Sequence, residues 1–387
     1  MSSILGTYAR KAISFTQGKG SYLFAENGEK YLDFVQGIAT NILGHCHEHL
    51  VKTIQDQSKK LWHVSNAFVI PEQEKLAKRL TENSFADFVC FQNSGTEATE
   101  ASIKIARKYF HKIGKPEKNR IITFKGAFHG RTLAALFAAN NPKHTEGFAP
   151  NVDGFDQVPF ADHEAIKKTI NKNTAAIMVE TIMGEGGIKV VPDFCIKGLR
   201  DLCDEHDLLL ILDEVQSAYR TGNFFAFESS GIMPDIVPIA KGIGGGFPLG
   251  ACLVTKKVSV GMTPGTHGST FGGNPLAMAV GNAVLDIILE KDFLQNVKKK
   301  GEYFEQGLNK IKNKHPKIIE EIRGMGLIRG LKLFVDNTKF IEKLMKHKLL
   351  AIKAEENVIR LFPPLIVTDK ELDEGLDKIE QACKDMS

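Results

Sequence analysis

The chain has 387 residues, more than the roughly 250–300 that a single hydrophobic core accommodates, so two domains are expected. Apolar residues make up 43% and charged residues 25%, a balance that excludes a disordered chain, and no apolar run nears the roughly 18 residues that span a bilayer. The net charge is only +4 and the lysines are spread out, so neither a nucleic-acid nor a membrane partner is expected; the denser stretches at 298–300 and 310–317 read as solvated helix faces.

The N-terminus, MSSILGTYARKAISF, has no continuous apolar h-region and no small-residue cleavage site. The six cysteines include no C-x-x-C and read as reduced thiols, so a cytoplasmic location is expected. SYLFAENGEKYLDF then reads as a hairpin around an Asn27-Gly28 turn. In His45-Cys46-His47-Glu48-His49 adjacent side chains cannot all face one ion, so a hydrogen-bonded loop is expected and no metal.

Unbroken apolar runs follow at 88–91, 121–124, 175–179, 208–212 and 236–240. Continuity without alternation, at helix-sized spacing, predicts parallel strands buried on both faces. Pro238 has no N–H for a ladder, so the last strand should be short or at an edge. Beyond residue 290 the pattern turns Lys/Glu-rich and helical, with strand-like pieces at 330–334 and 358–361. The reading is therefore a large α/β domain over 55–285 and a smaller α+β domain formed by both chain ends, 1–54 and 286–387.

Ligands of open parallel sheets bind beyond the carboxyl ends of the strands. The five runs lead into Asn93-Ser94-Gly95-Thr96, into Phe128-His129-Gly130-Arg131, into Glu180 with Glu185 nearby, into Asp213-Glu214-Val215-Gln216, and into Lys241. The Ser94-Gly95-Thr96 turn opens a helix with small or apolar residues at 98, 101, 105 and 109, flanked by 102, 106 and 110, and with Glu97 and Glu100 in its first turn. That start is either a well-capped helix or a phosphate site built from the free amides of Gly95 and Thr96. Asp213 and Glu214 adjoin on a strand and so point to opposite faces, whereas Asp213 and Gln216 can converge. Lys241 is either a snorkelling surface lysine or a buried, imine-forming amine. Taken together, the rim describes a site for an anionic, aromatic, electrophilic ligand.

The motifs NSGTEA at 93–98, GAFHGRT at 126–132, GEGG at 184–187, LDEVQ at 212–216, AKGIGGGFPLGA at 240–251 and STFGGNP at 269–275 resemble those of the class III pyridoxal-phosphate aminotransferases. The resemblance runs from about residue 20 to 365, and GIATNILGHCHEHL and LWHVSNAFVIPEQEKLAKRL are most similar to the branch acting on acetylornithine. It implies fold type I, with a mostly parallel central sheet flanked by helices, and pyridoxal 5'-phosphate as cofactor. Lys241 would carry the cofactor covalently and move the substrate proton. Asp213 would meet the pyridinium nitrogen, Gln216 the phenolic oxygen and Phe128 the ring face. Gly95 and Thr96 would hold the phosphate, joined by Thr270 of a second subunit, so that a homodimer completes the site. Arg360 would bind the α-carboxylate of glutamate, and Arg131 the distal carboxylate with Ser269 nearby. Glu185 would pair with Arg360 when a terminal-amine donor brings no α-carboxylate.

The implied reaction moves the terminal amine of N-acetylornithine to 2-oxoglutarate. Succinyl-diaminopimelate presents the same pattern, and ornithine and 4-aminobutyrate are further alternatives. A nucleotide-dependent oxidoreductase is disfavoured because neither Gly242-Ile243-Gly244-Gly245-Gly246 nor Gly324-Met325-Gly326 satisfies G-x-G-x-x-G. An inactive binding protein of the same fold is disfavoured by the presence of Lys241. The chain departs from the family's usual order in three places: Thr181-Ile182-Met183 before Gly184, a loop one residue shorter between Gln216 and Arg220, and Leu361-Phe362 where Phe-Leu is usual.

Overall fold

The computed structural model describes residues 3–386. Its central sheet contains β1 (Phe88–Gln92), β2 (Arg120–Phe124), β3 (Phe155–Val158), β4 (Thr174–Glu180), β5 (Leu209–Asp213), β6 (Ile236–Ile239) and β7 (Gly250–Val254). The order across the sheet is β1-β7-β6-β5-β4-β2-β3, with β7 antiparallel to both of its neighbours and the other strands mutually parallel. The five apolar runs are all strands, and β4, β5 and β6 are buried along their whole length, as unbroken runs require.

Two strands lie outside the expected set. GACLV at 250–254 is as apolar as the rest but follows a glycine-rich turn too closely for a helical crossover, and it returns antiparallel. In β3, Asp156 and Gln157 interrupt the apolar pattern. The strand carrying Pro238 is short, as expected, and it lies inside the sheet, between β5 and β7. The lost donor is tolerated because β5 and β6 register only at Ile211–Ile236, and beyond it the Pro238 carbonyl accepts from Glu214 N at 3.1 Å.

Helix α1 (Gly95–Lys112) buries Ala98, Ala101, Ser102, Ile105, Ala106, Tyr109 and Phe110, the face expected from its spacing. Ser94 Oγ caps it by accepting from Glu97 N, and the Glu97 carboxylate accepts in return from Asn93 N at 2.7 Å. Glu100 lies beyond the first turn, contrary to expectation, and accepts instead from Thr132 Oγ1 at 2.5 Å.

Both chain ends share a sheet, in which the hairpin Tyr22–Ala25/Lys30–Asp33 pairs with Phe15–Lys19 and, in parallel, with Leu349–Leu350. Gly28 makes the hairpin turn at φ +83°. A second sheet joins Ile319–Met325, Ile328–Leu333, Val358–Leu361 and Ile352–Ala354. Ile319–Met325 escaped the sequence pattern because, as an edge strand, it carries Glu320, Glu321 and Arg323. Of the segment 45–49, expected as a loop, Glu48 and His49 instead open the helix Glu48–Ser58; His45 bonds Asp33 at 2.7 Å and His49 bonds Asp286 at 2.9 Å. Among the described residues no helix is long and apolar enough to cross a membrane.

Because β7 runs backwards, its first residue, Gly250, sits beside Gln92 at the carboxyl end of β1. A Cβ there would collide with the Ser94 carbonyl oxygen. Gly250→Ala is expected to cost about 1–3 kcal/mol and to push the Ser94-Gly95 turn out of place, measurable as a lower denaturant midpoint together with weaker binding of inorganic phosphate.

Candidate active site

Asp213 ends β5, a strand buried at every position. A carboxylate there is costly unless paired. Its Oδ2 meets His129 Nδ1 at 2.8 Å, and its Oδ1 accepts from Val215 N at 3.0 Å. Burial disfavours charge on His129, but the Asp213 hydrogen bond and charge outweigh it and raise the His129 pKa. Glu214 faces the other way, as expected, and accepts from Thr181 Oγ1, Ser217 Oγ, Ala226 N and Phe227 N. Burial pushes Glu214 up to about 7.

Glu180, at the end of β4, ties two loops together: its carboxylate accepts from Phe128 N at 2.8 Å and from Gly184 N at 3.3 Å. Burial raises its pKa as well. Lys241 follows β6 in the left-handed region, φ +49°, at the head of a tight turn. Burial brings its ammonium down to about 8, against the charges of Glu180 and Asp213 and with those of Arg360 and Arg220.

Close backbone approaches bring these strand ends together. A Cβ on Gly95 would stand 2.7 Å from Val215 Cγ1 and 3.5 Å from Ala240 Cβ, so the start of α1 packs on the residues flanking Gln216 and Lys241. A Cβ on Gly184 would overlap the Gln216 amide, whose Oε1 is buried without a partner among the described residues. Thr96 Oγ1 accepts from Arg131 N and Thr132 N, both at 3.2 Å. Its hydroxyl therefore serves the neighbouring loop, and the amides of Gly95 and Thr96 stand in the first turn, where backbone donors lack intrahelical partners.

Arg360, in strand Val358–Leu361, is buried, and its Nη2 pairs with Glu185 Oε2 at 2.7 Å and donates to Lys353 O at 2.9 Å. Its Nε has no partner among the described residues. Arg131 lies with its guanidinium carbon 5.2 Å from the Phe128 ring centre, and its Nη2 donates to His144 Nε2 at 3.2 Å. His144 was missed: it is a lone histidine in the short polar helix Pro142–Thr145, and nothing in its spacing marks it.

Ser269 makes no hydrogen bond to Arg131 among the described residues. Ser269 Oγ accepts from Asn93 Nδ2 and Gly272 N, and Thr270 stands exposed beside the exposed Phe271. Gly95, Thr96, Phe128, Asp213, Gln216, Lys241, Glu185 and Arg360 are linked through the contacts above, with Arg131 at their edge.

The family described as Aminotransferase class-III matches residues 7–383. The chain is 54% identical to the acetylornithine aminotransferase of Agrobacterium fabrum, with 99% of this chain and 96% of the relative covered. It is equally identical, 54%, to that of Mesorhizobium japonicum, covering 100% and 97%. Among solved structures, the ornithine aminotransferase from Toxoplasma gondii superposes with TM-score 0.95 at 30% identity, covering 99% and 93%. The N-acetylornithine aminotransferase from Stenotrophomonas maltophilia gives 0.86 at 34%, covering 98% and 97%.

Removing one member of a buried ion pair strands the other. His129→Ala is expected to destabilise the apoprotein by about 3–5 kcal/mol, read as a lower urea midpoint, whereas His129→Ala in an Asp213→Asn background should cost clearly less.

Proposed function

The chain belongs to the class-III aminotransferases, and we propose that it moves the terminal amine of N-acetylornithine to 2-oxoglutarate, giving N-acetylglutamate 5-semialdehyde and glutamate. As a member of that family it is a pyridoxal-phosphate-dependent enzyme acting on small-molecule substrates. The observation that carries the substrate reading is the Arg360–Glu185 ion pair. Glutamate reacts beside its α-carboxylate, whereas acetylornithine reacts at an amine with no such neighbour. A buried guanidinium that must serve both needs a carboxylate that can step in and out, and Glu185, 35% exposed against 3% for Arg360, is free to do so.

The donor set fits the cofactor: a buried carboxylate hydrogen-bonded to a histidine, an orphaned amide oxygen on Gln216, first-turn amides at Gly95 and Thr96, and a lysine with a lowered pKa. When bound, pyridoxal phosphate supplies an electron-withdrawing ring that accepts the electron pair left as the substrate carbon loses its proton. In this reading Gly95 and Thr96 hold the phosphate, Asp213 the ring nitrogen, Gln216 the ring oxygen side and Phe128 the ring face. Lys241 Nζ carries the cofactor and takes and returns the substrate proton. Arg360 and Arg131 orient the two carboxylates.

A homodimer that completes each site with Thr270 of its partner belongs to the same proposal. It is supported by the exposed Trp62, Phe68, Val69 and Phe271, which flank an open groove of about 640 Å³ lined by Asn66, Gln92, His267 and Ser269. The division into a 55–285 domain and a chain-end domain, and a cytoplasmic location supported by Cys46, Cys90, Cys195, Cys203 and Cys252, which form no disulfide among the described residues, complete the proposal.

The neutral amine is the reactive form of Lys241. A pKa near 8 predicts that capture of pyridoxal phosphate by the apoprotein speeds up as pH rises and levels off above about 8, rather than in the ordinary lysine range. The absorbance change on cofactor addition, followed from pH 6 to 10, checks this.

Half-reactions of the holoenzyme, followed by visible absorbance, test the substrate. N-acetylornithine is expected to outrun succinyl-diaminopimelate, ornithine and 4-aminobutyrate. Glu185→Ala is expected to slow N-acetylornithine about tenfold, the effect of roughly 1.4 kcal/mol, and to leave glutamate unchanged or better bound. Equal slowing of both donors would overturn the Arg360–Glu185 exchange.

A further inference from the structure

Two of the places where the chain departs from the family's usual order meet in space. The shortened loop after Gln216 delivers Arg220, and the reversed Leu361-Phe362 pair delivers an aromatic ring; the Arg220 guanidinium carbon lies 5.4 Å from the centre of that ring. Arg220 is fully buried, and no carboxylate pairs with it among the described residues. Its Nη1 donates to Leu327 O at 3.3 Å and Pro363 O at 3.1 Å, while Nε and Nη2 find no partner among the described residues. Burial pulls its pKa down to about 9. The Phe362 ring is thus one of the few sources of negative potential near this cation.

The same ring serves a second guanidinium. The Arg360 guanidinium carbon lies 5.9 Å from the Phe362 centroid. Phe362 is fully buried and its N donates to Phe34 O at 2.7 Å, so the ring is held by the backbone as well as by Arg220 gripping the next carbonyl, that of Pro363. Arg360 therefore has two kinds of partner. Glu185 is partly exposed and can be exchanged, while the ring is buried and cannot. Phe362 directly follows the strand Val358–Leu361, whereas an aromatic at 361 would stand on the face opposite to Arg360.

We propose that Phe362 is a specificity-determining positioning residue: its ring, clamped by Arg220, holds the Arg360 guanidinium in place while the carboxylate facing it changes from Glu185 to the α-carboxylate of a substrate. This rests on the reading that Arg360 binds that carboxylate. While Glu185 is in place the ion pair orients Arg360 by itself. The ring matters in the interval when Glu185 has left, so the effect falls on glutamate and 2-oxoglutarate and spares a terminal-amine donor.

The test uses the holoenzyme. Phe362→Leu, with Phe362→Met as a second non-aromatic variant should the first fold poorly, is expected to raise the KM for glutamate about threefold to tenfold, between the exposed and the desolvated limits of a cation–π contact. The kcat should change little, and the KM for N-acetylornithine should stay at its wild-type value. The Kd of glutarate, an unreactive dicarboxylate, should rise by the same factor in calorimetry. Replacing Phe362 with a highly fluorinated phenylalanine keeps the ring's outline and weakens its negative face, and should reproduce the shift. Equal shifts for both donors, or no shift, would overturn the proposal in favour of plain packing. Arg360→Ala separates the two layers. If it leaves glutamate unaffected, the role of Arg360 itself is wrong; if it abolishes glutamate binding while the Phe362 variants bind normally, only the role of the ring is wrong.

Discussion

A carboxylate that closes a strand no water reaches has to be paired, and the rim of this sheet is arranged around that requirement at Asp213. His129 supplies the partner, and the loop carrying it must then be held at the end of β2. Glu180 holds that loop at Phe128 N, and Thr96 Oγ1 holds it again at Arg131 and Thr132. The same Glu180 reaches Gly184, bringing the glycine-rich turn over Gln216. One buried charge thus fixes the relative positions of three strand ends and of the start of α1.

The basic groups of the site follow the same rule from the other side. Lys241 and Arg360 are both buried and both have their pKa lowered by that burial, so neither is at rest as an isolated cation. Lys241 responds by giving up its proton more easily, which suits an amine that must act as a nucleophile and a base near neutral pH. A guanidinium cannot do so to any useful degree, and Arg360 instead recruits Glu185, the Lys353 carbonyl and the face of Phe362. How the two cations manage the same desolvation cost separates the chemistry of the reacting carbon from the recognition of carboxylates.

Much of this was legible in the chain. Unbroken apolar runs can only be strands with both faces covered, and a period of two sends Asp213 and Glu214 to opposite sides; both follow from local geometry. The buried face of α1 was equally readable, because 3.6-residue spacing needs no knowledge of the partner surface. The motif order along the chain was enough to identify the family.

What the residues did not reveal are pairings set by long-range topology. GACLV is visibly apolar, but its antiparallel direction depends on how little chain separates it from β6. Pro238 called for a short or an edge strand; the strand is short, and the proline is tolerated inside the sheet because the register with β5 is confined to Ile211–Ile236. His129 meets Asp213 across 84 positions, and His144, Arg131 and Phe128 form a cluster that no spacing rule anticipates. Composition and periodicity thus set which segments are buried and which residue types reach the rim. Which charge faces which was decided by the folded packing, because the energy of a buried ion depends on its nearest few ångströms and not on its place in the chain.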